Sequence, residues 1–471
     1  MTGETIRADL LVVGGGMAGL SAAAEAASAG AVVGVVEKGA ELGGSAALSA
    51  GIFWAPRDFA EMVERIPHGE PHLGRALTDD FLPTVDWVRA TGVEMSDRID
   101  GPYFGFGVGW QIDVRGYFEW CRRTVEAAAG WVVRSTAARA LVRTDDGRVM
   151  GAEVVGPDGP LEIQAEAVLL ASGGFQGDPA LVASFIGPGA DRVLVRSNPG
   201  SVGDGFRMAE AVGGAASRSL EGYYGHLVPY PLRSWSEPDF LPLTQYHSIY
   251  CILVNRGGRR FVDESRGDEI SNQVILREPD RRAILLADDE TRRRRVITAP
   301  YPRGEVIDRF RAAADAGGNY AVGDTVDELA RAVGEWGVPA ANLLATLRAY
   351  DLAAAGEHVE VDAPIPAIAA PLVVPPFHAI EVQATLTFPL GGIRIDADGH
   401  VLDRDDRPVA GLFAAGADAG GLYHLGYGGG LGMSCVFGRR AARAAIGSRA
   451  PLTESTGAVA GATVAGATGA G

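Results

Sequence analysis

The feature that most constrains this chain is a glycine-rich run, residues 14–19 (GGGMAG), set between an apolar stretch and a helix-forming stretch. Residues 8–13 (ADLLVV) are typical of a buried parallel strand, and residues 17–29 are small helix formers. Residues 31–38 (AVVGVVEK) predict a second strand. A strand, helix and strand of this length predict a βαβ crossover, and hence an α/β fold of Rossmann type.

Three glycines of the run, Gly14, Gly16 and Gly19, form G-x-G-x-x-G. Glycines here permit a tight turn and let the backbone approach a pyrophosphate, which the free N–H groups of the helix N-terminus then attract. Glu37 follows about 20 residues later, where a carboxylate accepts hydrogen bonds from the adenosine ribose. These residues predict a dinucleotide site but leave NAD and FAD equally open.

Length and charge limit the classes of function. A chain of 471 residues predicts two domains, or one domain with a large insertion. The formal net charge of -17 opposes binding to nucleic acid or to anionic lipid. The three cysteines, Cys121, Cys251 and Cys435, lack the close spacing of a zinc site or disulfide framework, so we expect no metal and a reducing cytoplasm. No secretion signal or membrane-spanning stretch is visible, so we expect no integral membrane segment.

Two further apolar stretches end in glycines, residues 166–175 (EAVLLASGGF) and 411–421 (GLFAAGADAGG). Binding loops gather at the carboxyl ends of parallel strands, so one domain is expected to contain both chain ends. We predict an FAD-binding domain from residues 1–225 and 389–447, and an inserted α+β capping domain from residues 226–388. The small-residue segment 448–471 predicts a disordered tail.

The segments 43–51 (GGSAALSAG) and 426–445 (GYGGGLGMSCVFGRRAARAA) are unusual for an NAD enzyme. With the motifs above, they resemble the FAD-binding superfamily of fumarate reductase and succinate dehydrogenase flavoproteins, which includes the 3-ketosteroid dehydrogenases. The resemblance extends to about residue 447. Membrane-bound relatives attach FAD through a histidine near GGSA, which this chain lacks, so non-covalent FAD is expected. Only one dinucleotide motif is present, so an unidentified electron donor or acceptor is expected in place of NADPH.

The resemblance implies where FAD contacts the chain. Ser45 and Ala46 would lie by the flavin and pyrophosphate, Ala138 by the adenine, and Asp418 by the ribityl chain. A helix opened by the segment starting at Gly428 would point its amides at the flavin pyrimidine ring. The full predicted cofactor set is Gly14, Gly16, Met17, Ala18, Gly19, Glu37, Lys38, Gly43, Gly44, Ser45, Ala46, Ser49, Gly51, Ala138, Ser172, Gly173, Gly174, Asp204, Gly205, Gly416, Asp418, Gly428, Gly430 and Leu431.

The substrate site departs from the fumarate reductases, which clamp a dicarboxylate with arginines and histidines. By alignment, the clamp positions carry Phe388, His247 and Leu425, and only His226 matches a family histidine. A neutral, more apolar substrate is therefore expected, because an unpaired carboxylate is costly to bury. The loop around Tyr427 resembles that of the Δ4-type 3-ketosteroid dehydrogenases, with Gly429 at the position of their nearby serine.

We therefore predict an FAD-dependent dehydrogenase or ene-reductase that acts on a carbon–carbon bond beside the carbonyl of a steroid-like or polycyclic ketone. Tyr427 is expected to exchange a proton next to the carbonyl, and backbone amides or Tyr250 to polarise that carbonyl. The other candidates are His226, His247 and His424. Each candidate has a structural alternative: Tyr427 packs on the flavin edge, and the histidines are satisfied core residues.

Two other functions stay open from the sequence. The first is a fumarate-reductase-like enzyme for an unsaturated carboxylate, with a clamp rebuilt from His226, His247 and an arginine of the cap. The second is a flavin-binding protein without turnover. Arg260 and Glu264, in GGRRFVDES, are expected to brace the cap rather than touch the substrate.

Overall fold

The computed structural model describes residues 6–101, 105–299, 301 and 304–447. The predicted disordered tail, residues 448–471, lies outside the described residues. The strands are β1 Ile6–Val13, β2 Val33–Val36, β3 Ile52–Ala55, β4 Ile99–Asp100, β5 Val108–Gln111, β6 Trp131–Val133, β7 Ala137–Arg143, β8 Val149–Gly156, β9 Gly159–Leu170, β10 Leu194–Val195, β11 Tyr223–Tyr224, β12 Val228–Pro229, β13 Ile252–Asn255, β14 Arg282–Asp288, β15 Ile297–Thr298, β16 Ile307–Asp308, β17 Tyr320–Gly323, β18 Phe377–Gln383, β19 Thr385–Leu386, β20 Phe388–Pro389, β21 His400–Leu402 and β22 Pro408–Ala414.

The helices alternate with these strands along the chain. They are α1 Met17–Ser28, α2 Phe59–Arg65, α3 Pro71–Ala90, α4 Val114–Ala127, α5 Pro179–Phe185, α6 Asp204–Ala211, α7 Asp268–Ile275, α8 Asp289–Thr291, α9 Arg309–Asp315, α10 Val326–Gly334, α11 Ala340–Ala354 and α12 Gly430–Gly447. Among the described residues, no helix has both the length and the apolar character needed to cross a lipid bilayer.

The larger sheet holds strands from both ends of the chain. Its order is β21-β22-β9-β1-β2-β6, and β22, β9, β1, β2 and β6 run parallel. β7 and β8 extend it as antiparallel strands beside β9. The carboxyl ends of β1, β9 and β22 therefore lie side by side, which brings the three predicted glycine-ended loops to one edge. The predicted α/β fold of Rossmann type is confirmed.

Small residues let two helices pack closely against this sheet. α1 packs against α12 and α4, and ten of its twelve residues are buried. A Cβ added to Gly438 of α12 would lie 2.3 Å from the Ala18 carbonyl oxygen of α1. Glycine at this position is therefore what permits the close crossing of the first and last helices, which holds the two ends of the chain together.

A second, five-stranded antiparallel sheet is built from residues between Val228 and Gln383, in the order β12-β18-β14-β13 with β17 paired to β18. Alternating residues bury its two faces in different clusters: Leu285 packs with Phe310 of α9, whereas Leu286 packs with Leu329 of α10. This sheet and its helices fall within the residues predicted as the cap. β11 pairs with β20, so the two chain crossings at the predicted domain limits lie side by side.

Two element limits differ from the sequence prediction. β2 ends at Val36, so Glu37 and Lys38 lie in the following loop rather than at the strand end. The last helix begins at Gly430 rather than near Gly428. In both places the irregular segment is longer than predicted: it starts earlier after β2 and ends later before α12.

Candidate active site

One cavity of about 1000 Å³ lies where the glycine-ended loops face segments around residues 224–226, 240–250 and 265–270. Most of the predicted cofactor residues line it. They are Gly14, Gly16, Met17, Ala18, Glu37, Lys38, Gly43, Gly44, Ser45, Ala46, Ser49, Ala138, Ser172, Gly173, Asp204, Gly416, Gly430 and Leu431. The structure therefore brings together residues from positions 14 to 431 of the chain on one wall.

Six predicted cofactor residues do not line the cavity: Gly19, Gly51, Gly174, Gly205, Asp418 and Gly428. Gly19 serves the packing behind the wall, because a Cβ there would lie 1.9 Å from the Gly14 carbonyl oxygen. Gly205 donates its N–H to the Ser172 hydroxyl (3.0 Å), and so supports a residue that does line the cavity.

The G-x-G-x-x-G turn shows two different uses of glycine. Gly14 has φ +113°, and a Cβ there would lie 2.2 Å from the Ala171 carbonyl oxygen, so the turn itself requires glycine. At Gly16 the nearest atom to an added Cβ is 3.8 Å away, because this position faces the open cavity. The space beside Gly16 is therefore open to a ligand and is not filled by other protein atoms, as expected where a backbone approaches a pyrophosphate.

Glu37 is held by two backbone donors. The Gly15 and Gly39 N–H groups donate to its two carboxylate oxygens at 2.7 and 2.5 Å. The side chain lines the cavity while it braces the phosphate-binding turn. Its predicted contact with the adenosine ribose would therefore use the acceptor capacity that these two bonds leave free.

Asp418 is buried behind Ser172 and joins two of the glycine-ended loops. Its Oδ2 accepts hydrogen bonds from the Ser172 backbone N–H (2.5 Å) and hydroxyl (2.9 Å). Its other oxygen, Oδ1, is buried and has no hydrogen-bond partner among the described residues. Burial raises the pKa of Asp418 to about 7, although the bonds from Ser172 oppose the shift. A buried acceptor without a donor is costly, so this oxygen fits a ligand that brings a hydroxyl.

The loop before α12 places Tyr427 beside the start of that helix. The Gly430 N–H donates to the Tyr427 hydroxyl oxygen at 2.7 Å. The ring of Tyr427 stacks on Tyr224, with centroids 3.7 Å apart and planes at 18°. Burial raises the pKa of Tyr427, and the bonds from Gly430 and Tyr224 partly offset that rise. The Tyr427 hydroxyl therefore keeps its proton at neutral pH and has a donor ready for the oxygen when the proton leaves.

A series of hydrogen-bonded side chains extends from Tyr224 away from Tyr427. The Tyr224 hydroxyl lies 2.5 Å from His226 Nε2, and His226 Nδ1 lies 2.6 Å from Asp268 Oδ2. Burial lowers the pKa of His226 and raises the pKa of Asp268. With the proton on Nδ1, His226 donates to Asp268 and accepts from Tyr224. All three side chains line the cavity.

Of these three residues only His226 was predicted as catalytic from the sequence, and its links to Tyr224 and Asp268 were not predicted. The spacing of Tyr224 and His226 offered a signal, because residues two apart in an extended segment point to the same side. Asp268 gave no such signal, since it lies 42 positions from His226 and opens another helix. Arg196, which also lines the cavity and is fully buried, was likewise missed.

The remaining predicted catalytic residues lie in different places. Tyr250 lines the cavity but is 37% exposed, and the Arg295 guanidinium lies 4.3 Å above its ring. His247 and His424 do not line the cavity. His247 is buried against Phe310, and His424 Nε2 lies 3.5 Å from Glu221. His226 alone of the three histidines therefore reaches the cavity wall.

The two cap residues predicted to brace the fold form a buried ion pair. Arg260 Nη2 lies 2.5 Å from Glu264 Oε2, and Glu264 also accepts from the Leu253 N–H at 2.9 Å. Arg260 further donates to the Ala363 carbonyl oxygen at 2.9 Å. Neither side chain lines the cavity, so the pair is structural. Within the described residues, no group of three or more His, Cys, Asp or Glu side chains could hold a metal ion.

The profile of the FAD binding domain family matches residues 9–432, which is most of the chain. The chain belongs to this FAD-binding family. FAD is therefore its cofactor, as the sequence predicted. The residues present fit that group: Gly16 leaves room for a pyrophosphate, and Asp418 Oδ1 lacks a donor that a ribityl hydroxyl would supply. Non-covalent attachment stays a prediction.

Relatives of this FAD-binding chain include a fumarate reductase (cytochrome) of Shewanella frigidimarina, 28% identical over 463 residues, which cover 92% of this chain and 76% of the relative. The 4-oxocyclohexanecarboxylate 2-dehydrogenase of Sinomonas cyclohexanicum is 28% identical, with 94% of this chain and 93% of the relative covered. The predicted resemblance to the fumarate reductase flavoproteins is confirmed.

A similar solved structure is the 3-ketosteroid Δ4-(5α)-dehydrogenase of Rhodococcus jostii RHA1, in complex with 4-androstene-3,17-dione. The TM-score is 0.73 at 21% identity, and the match covers 95% of this chain and 98% of that structure. At this identity the likeness supports the fold. At the level of reaction class, the chain is an FAD-dependent oxidoreductase that acts on carbon–carbon bonds, as predicted from the sequence.

Proposed function

We propose that this chain moves a hydride and a proton across a carbon–carbon bond adjacent to the carbonyl of a small ketone. The observation that carries the proposal is Tyr427, whose hydroxyl oxygen accepts the N–H of Gly430 at the edge of the cavity while its ring stacks on Tyr224. FAD, when bound, accepts or donates the hydride. Tyr427 exchanges the proton on the carbon next to the carbonyl.

The same bonds, hydride and proton are involved in both directions of the reaction. In reduction, the carbon–carbon π bond breaks, a hydride adds to the carbon β to the carbonyl, and the Tyr427 proton adds to the α-carbon. Dehydrogenation reverses each of these changes. Gly430, at the positively polarised start of α12, stabilises the oxygen of Tyr427 while its proton is away.

The hydrogen-bonded side chains of Tyr224, His226 and Asp268 can assist the transfer of the Tyr427 proton. Neutral His226 can accept a proton at Nε2 through the Tyr224 hydroxyl while Asp268 holds its Nδ1 side. In dehydrogenation Tyr427 must first lose its proton, and its hydrogen bond with Tyr224 lets that proton pass to His226. In reduction the proton that Tyr427 gives to the substrate returns by the reverse path. Both His226 ring nitrogens are engaged, which argues against the sequence alternative in which His226 clamps a carboxylate.

The test compares wild type with Tyr427→Phe after FAD loading and anaerobic reduction with dithionite. Mixing with cyclohex-2-enone, 4-androstene-3,17-dione or fumarate is followed by flavin absorbance. We expect an enone to reoxidise the wild-type flavin rapidly, and Tyr427→Phe to slow this by about 10²- to 10⁴-fold with FAD still bound. Tyr423→Phe is the matched control, because Tyr423 is buried beside Tyr427 but does not line the cavity.

Three outcomes contradict the proposal. Unchanged turnover in Tyr427→Phe removes this tyrosine from the mechanism. Rapid reoxidation by fumarate and not by enones favours the unsaturated-carboxylate enzyme. Failure of every ketone and acid to perturb the flavin spectrum favours a flavin-binding protein without turnover.

A further inference from the structure

We infer that Arg196 binds a carboxylate on the substrate, so that the ketone taken by this site carries one anionic group. The inference rests on the proposed function for the reacting carbonyl, and it adds a second recognition point to it. It depends on three observations: the burial of Arg196, the absence of an ion pair with any acidic group of the described residues, and the unpaired Thr387 hydroxyl beside it.

Arg196 is held in place by neutral groups only. It is 0% exposed, and its backbone N–H donates to the Leu386 carbonyl oxygen at 2.8 Å. Its Nη2 donates to the Thr244 hydroxyl (2.9 Å) and to the Phe240 carbonyl oxygen (3.1 Å). The guanidinium also lies 3.5 Å from the centre of the Phe240 ring. These contacts fix the group without neutralising its charge.

No carboxylate of the described residues lies within 4.0 Å of the Arg196 guanidinium, and its Nε and Nη1 have no hydrogen-bond partner. The buried arginines Arg260 and Arg439 differ, since they pair with Glu264 at 2.5 Å and Glu25 at 2.7 Å. A buried charge without a partner is costly, and an anionic ligand would offset that cost. Arg309 is also buried, with no acidic partner in the part of the chain that the structure describes, but it does not line the cavity.

Two neighbours of Arg196 also present unpaired polar atoms, and we call Gln176, Arg196 and Thr387 the polar corner. Among the described residues, Gln176 Oε1 and Thr387 Oγ1 are buried without hydrogen-bond partners, and both residues line the cavity. Gln176 Oε1 is an acceptor and needs a donor, so of these two groups only the Thr387 hydroxyl can assist in binding a carboxylate. They are close to Arg196 in the fold: Gln176 donates to the hydroxyl of Ser197 (3.3 Å), and β10 pairs with β19, which Thr387 follows. The Thr387 hydroxyl can donate to the same anion as Arg196.

The polar corner belongs to the end of the cavity where the proton is exchanged. The charge of Arg196 contributes to the pKa shifts of Tyr224 and His226, and opposes the rise at Asp268. The acidic groups of this region do not neutralise Arg196. Asp268 has a pKa of about 6 and keeps its charge at neutral pH, but it is hydrogen-bonded to neutral His226 and makes no ion pair with Arg196 within 4.0 Å. Burial raises the pKa of Glu269 to about 8, so Glu269 is largely protonated at neutral pH.

The number of cations limits the class of ligand. The aligned clamp positions of the fumarate reductases carry Phe388, His247 and Leu425 here, so Arg196 supplies a cation from a different strand. One buried cation suits one carboxylate and leaves the rest of the substrate neutral. The substrate class is therefore a ketone or enone that bears a single carboxylate. This proposal differs from the sequence prediction of a neutral substrate, which stays a prediction.

The test measures binding to the oxidised, FAD-loaded protein without turnover, by the change in flavin absorbance. The probes are 3-oxocyclohex-1-enecarboxylate and its methyl ester, with benzoate and benzamide as a simpler pair. We expect each acid to bind wild type at least about tenfold more tightly than its neutral partner. In Arg196→Met we expect this preference to disappear, because the protein binds the acid more weakly while its affinity for the neutral probe is unchanged. Arg65→Gln is the control, since Arg65 lines the cavity but is exposed, and it keeps the preference.

Equal binding of acid and neutral probe to wild type overturns the inference, as does a preference that survives Arg196→Met, or failure of both acids to bind. If Arg196→Met does not fold, Thr387→Val takes its place and must weaken the acid more than the ester. Failure of the proposed function looks different, because the enone acid then binds with its preference but never reoxidises the reduced flavin.

Discussion

Different chemical groups line the two ends of the cavity. The nucleotide end, around Gly14, Gly16 and Ser172, presents backbone N–H groups and small side chains from the parallel sheet. The substrate end, around Tyr224, Tyr427 and Arg196, presents large aromatic and charged side chains that meet through tertiary contacts. Backbone groups recognise a ligand that every member of a fold family shares, whereas side chains adjust to one substrate. The comparison teaches that cofactor and substrate recognition can be altered separately in this chain.

The first way to test that separation is Gly16→Val. An added Cβ meets no protein atom closer than 3.8 Å, so the chain should fold, but the side chain fills the space for the pyrophosphate. Loss of two amide–phosphate bonds, each worth about 2 kcal/mol, weakens FAD binding by roughly a thousandfold. Fluorescence titration with FAD measures this. Gly334→Ala is the control, because the nearest atom to its added Cβ is 3.9 Å away and it lies in α10, far from the turn. Normal FAD affinity in Gly16→Val would place the pyrophosphate elsewhere.

The second test acts on the substrate end alone. His226→Gln breaks the link between Tyr224 and Asp268, so we expect kcat to fall by about tenfold to a hundredfold, at the lower limit for a proton-transfer group, with FAD affinity unchanged. The solvent isotope effect on kcat should rise, a change that a merely structural role would not cause. Steady-state kinetics across pH measures both quantities.

The matched control is a similar arrangement away from the cavity. The Tyr320 hydroxyl lies 2.9 Å from His378 Nδ1, and His378 Nε2 lies 3.7 Å from Asp289, but His378 does not line the cavity. His378→Gln should therefore change kcat by less than about threefold, in line with a residue that touches no reacting group. Equal losses in both variants would mean that His226 acts through stability only.

The third and smallest expected effect concerns stability against pH in the FAD-free protein. Burial raises the pKa of Asp418 from 3.8 to about 7, so the folded state holds a proton that the unfolded state releases. This contribution therefore lowers stability as pH rises from about 4 to about 7. His226 has the opposite effect on stability. Its pKa is lowered in the folded state, so the unfolded state binds a proton first and stability falls as the pH drops below 6.5.

Urea unfolding of wild type and Asp418→Asn at several pH values checks the first of these signs. The difference in free energy of unfolding between the variant and wild type should shift in the variant's favour by at least about 1.4 kcal/mol between pH 4 and pH 7. That value is the equivalent of one unit of pKa shift. The FAD-loaded protein should show a smaller difference if a ribityl hydroxyl donates to Asp418. An unchanged pH profile in Asp418→Asn would show that the carboxyl is ionised in the folded chain.

Local chemistry made the nucleotide end predictable from the sequence. A left-handed glycine after a buried strand, a helix N-terminus and an acidic residue at a set distance all act within about 25 residues, and short-range sterics impose them. The prediction failed only in detail, as with the end of β2 before Glu37 and the start of α12 at Gly430. Asp418 was found through the resemblance, but its support of Ser172 required the structure.

By itself, then, the sequence determined the α/β fold and the dinucleotide-binding turn, because each depends on neighbours along the chain. FAD and the candidate Tyr427 came from the resemblance to a known family. Only the tertiary structure decided that Tyr224, His226 and Asp268 are joined by hydrogen bonds and that Arg196 is a buried cation with no ion pair among the described residues. These residues lie on separate elements, and the pairing of distant strands brings them together. Whether a polar side chain is paired is a property of the assembled fold, since its partner can come from any position in the sequence.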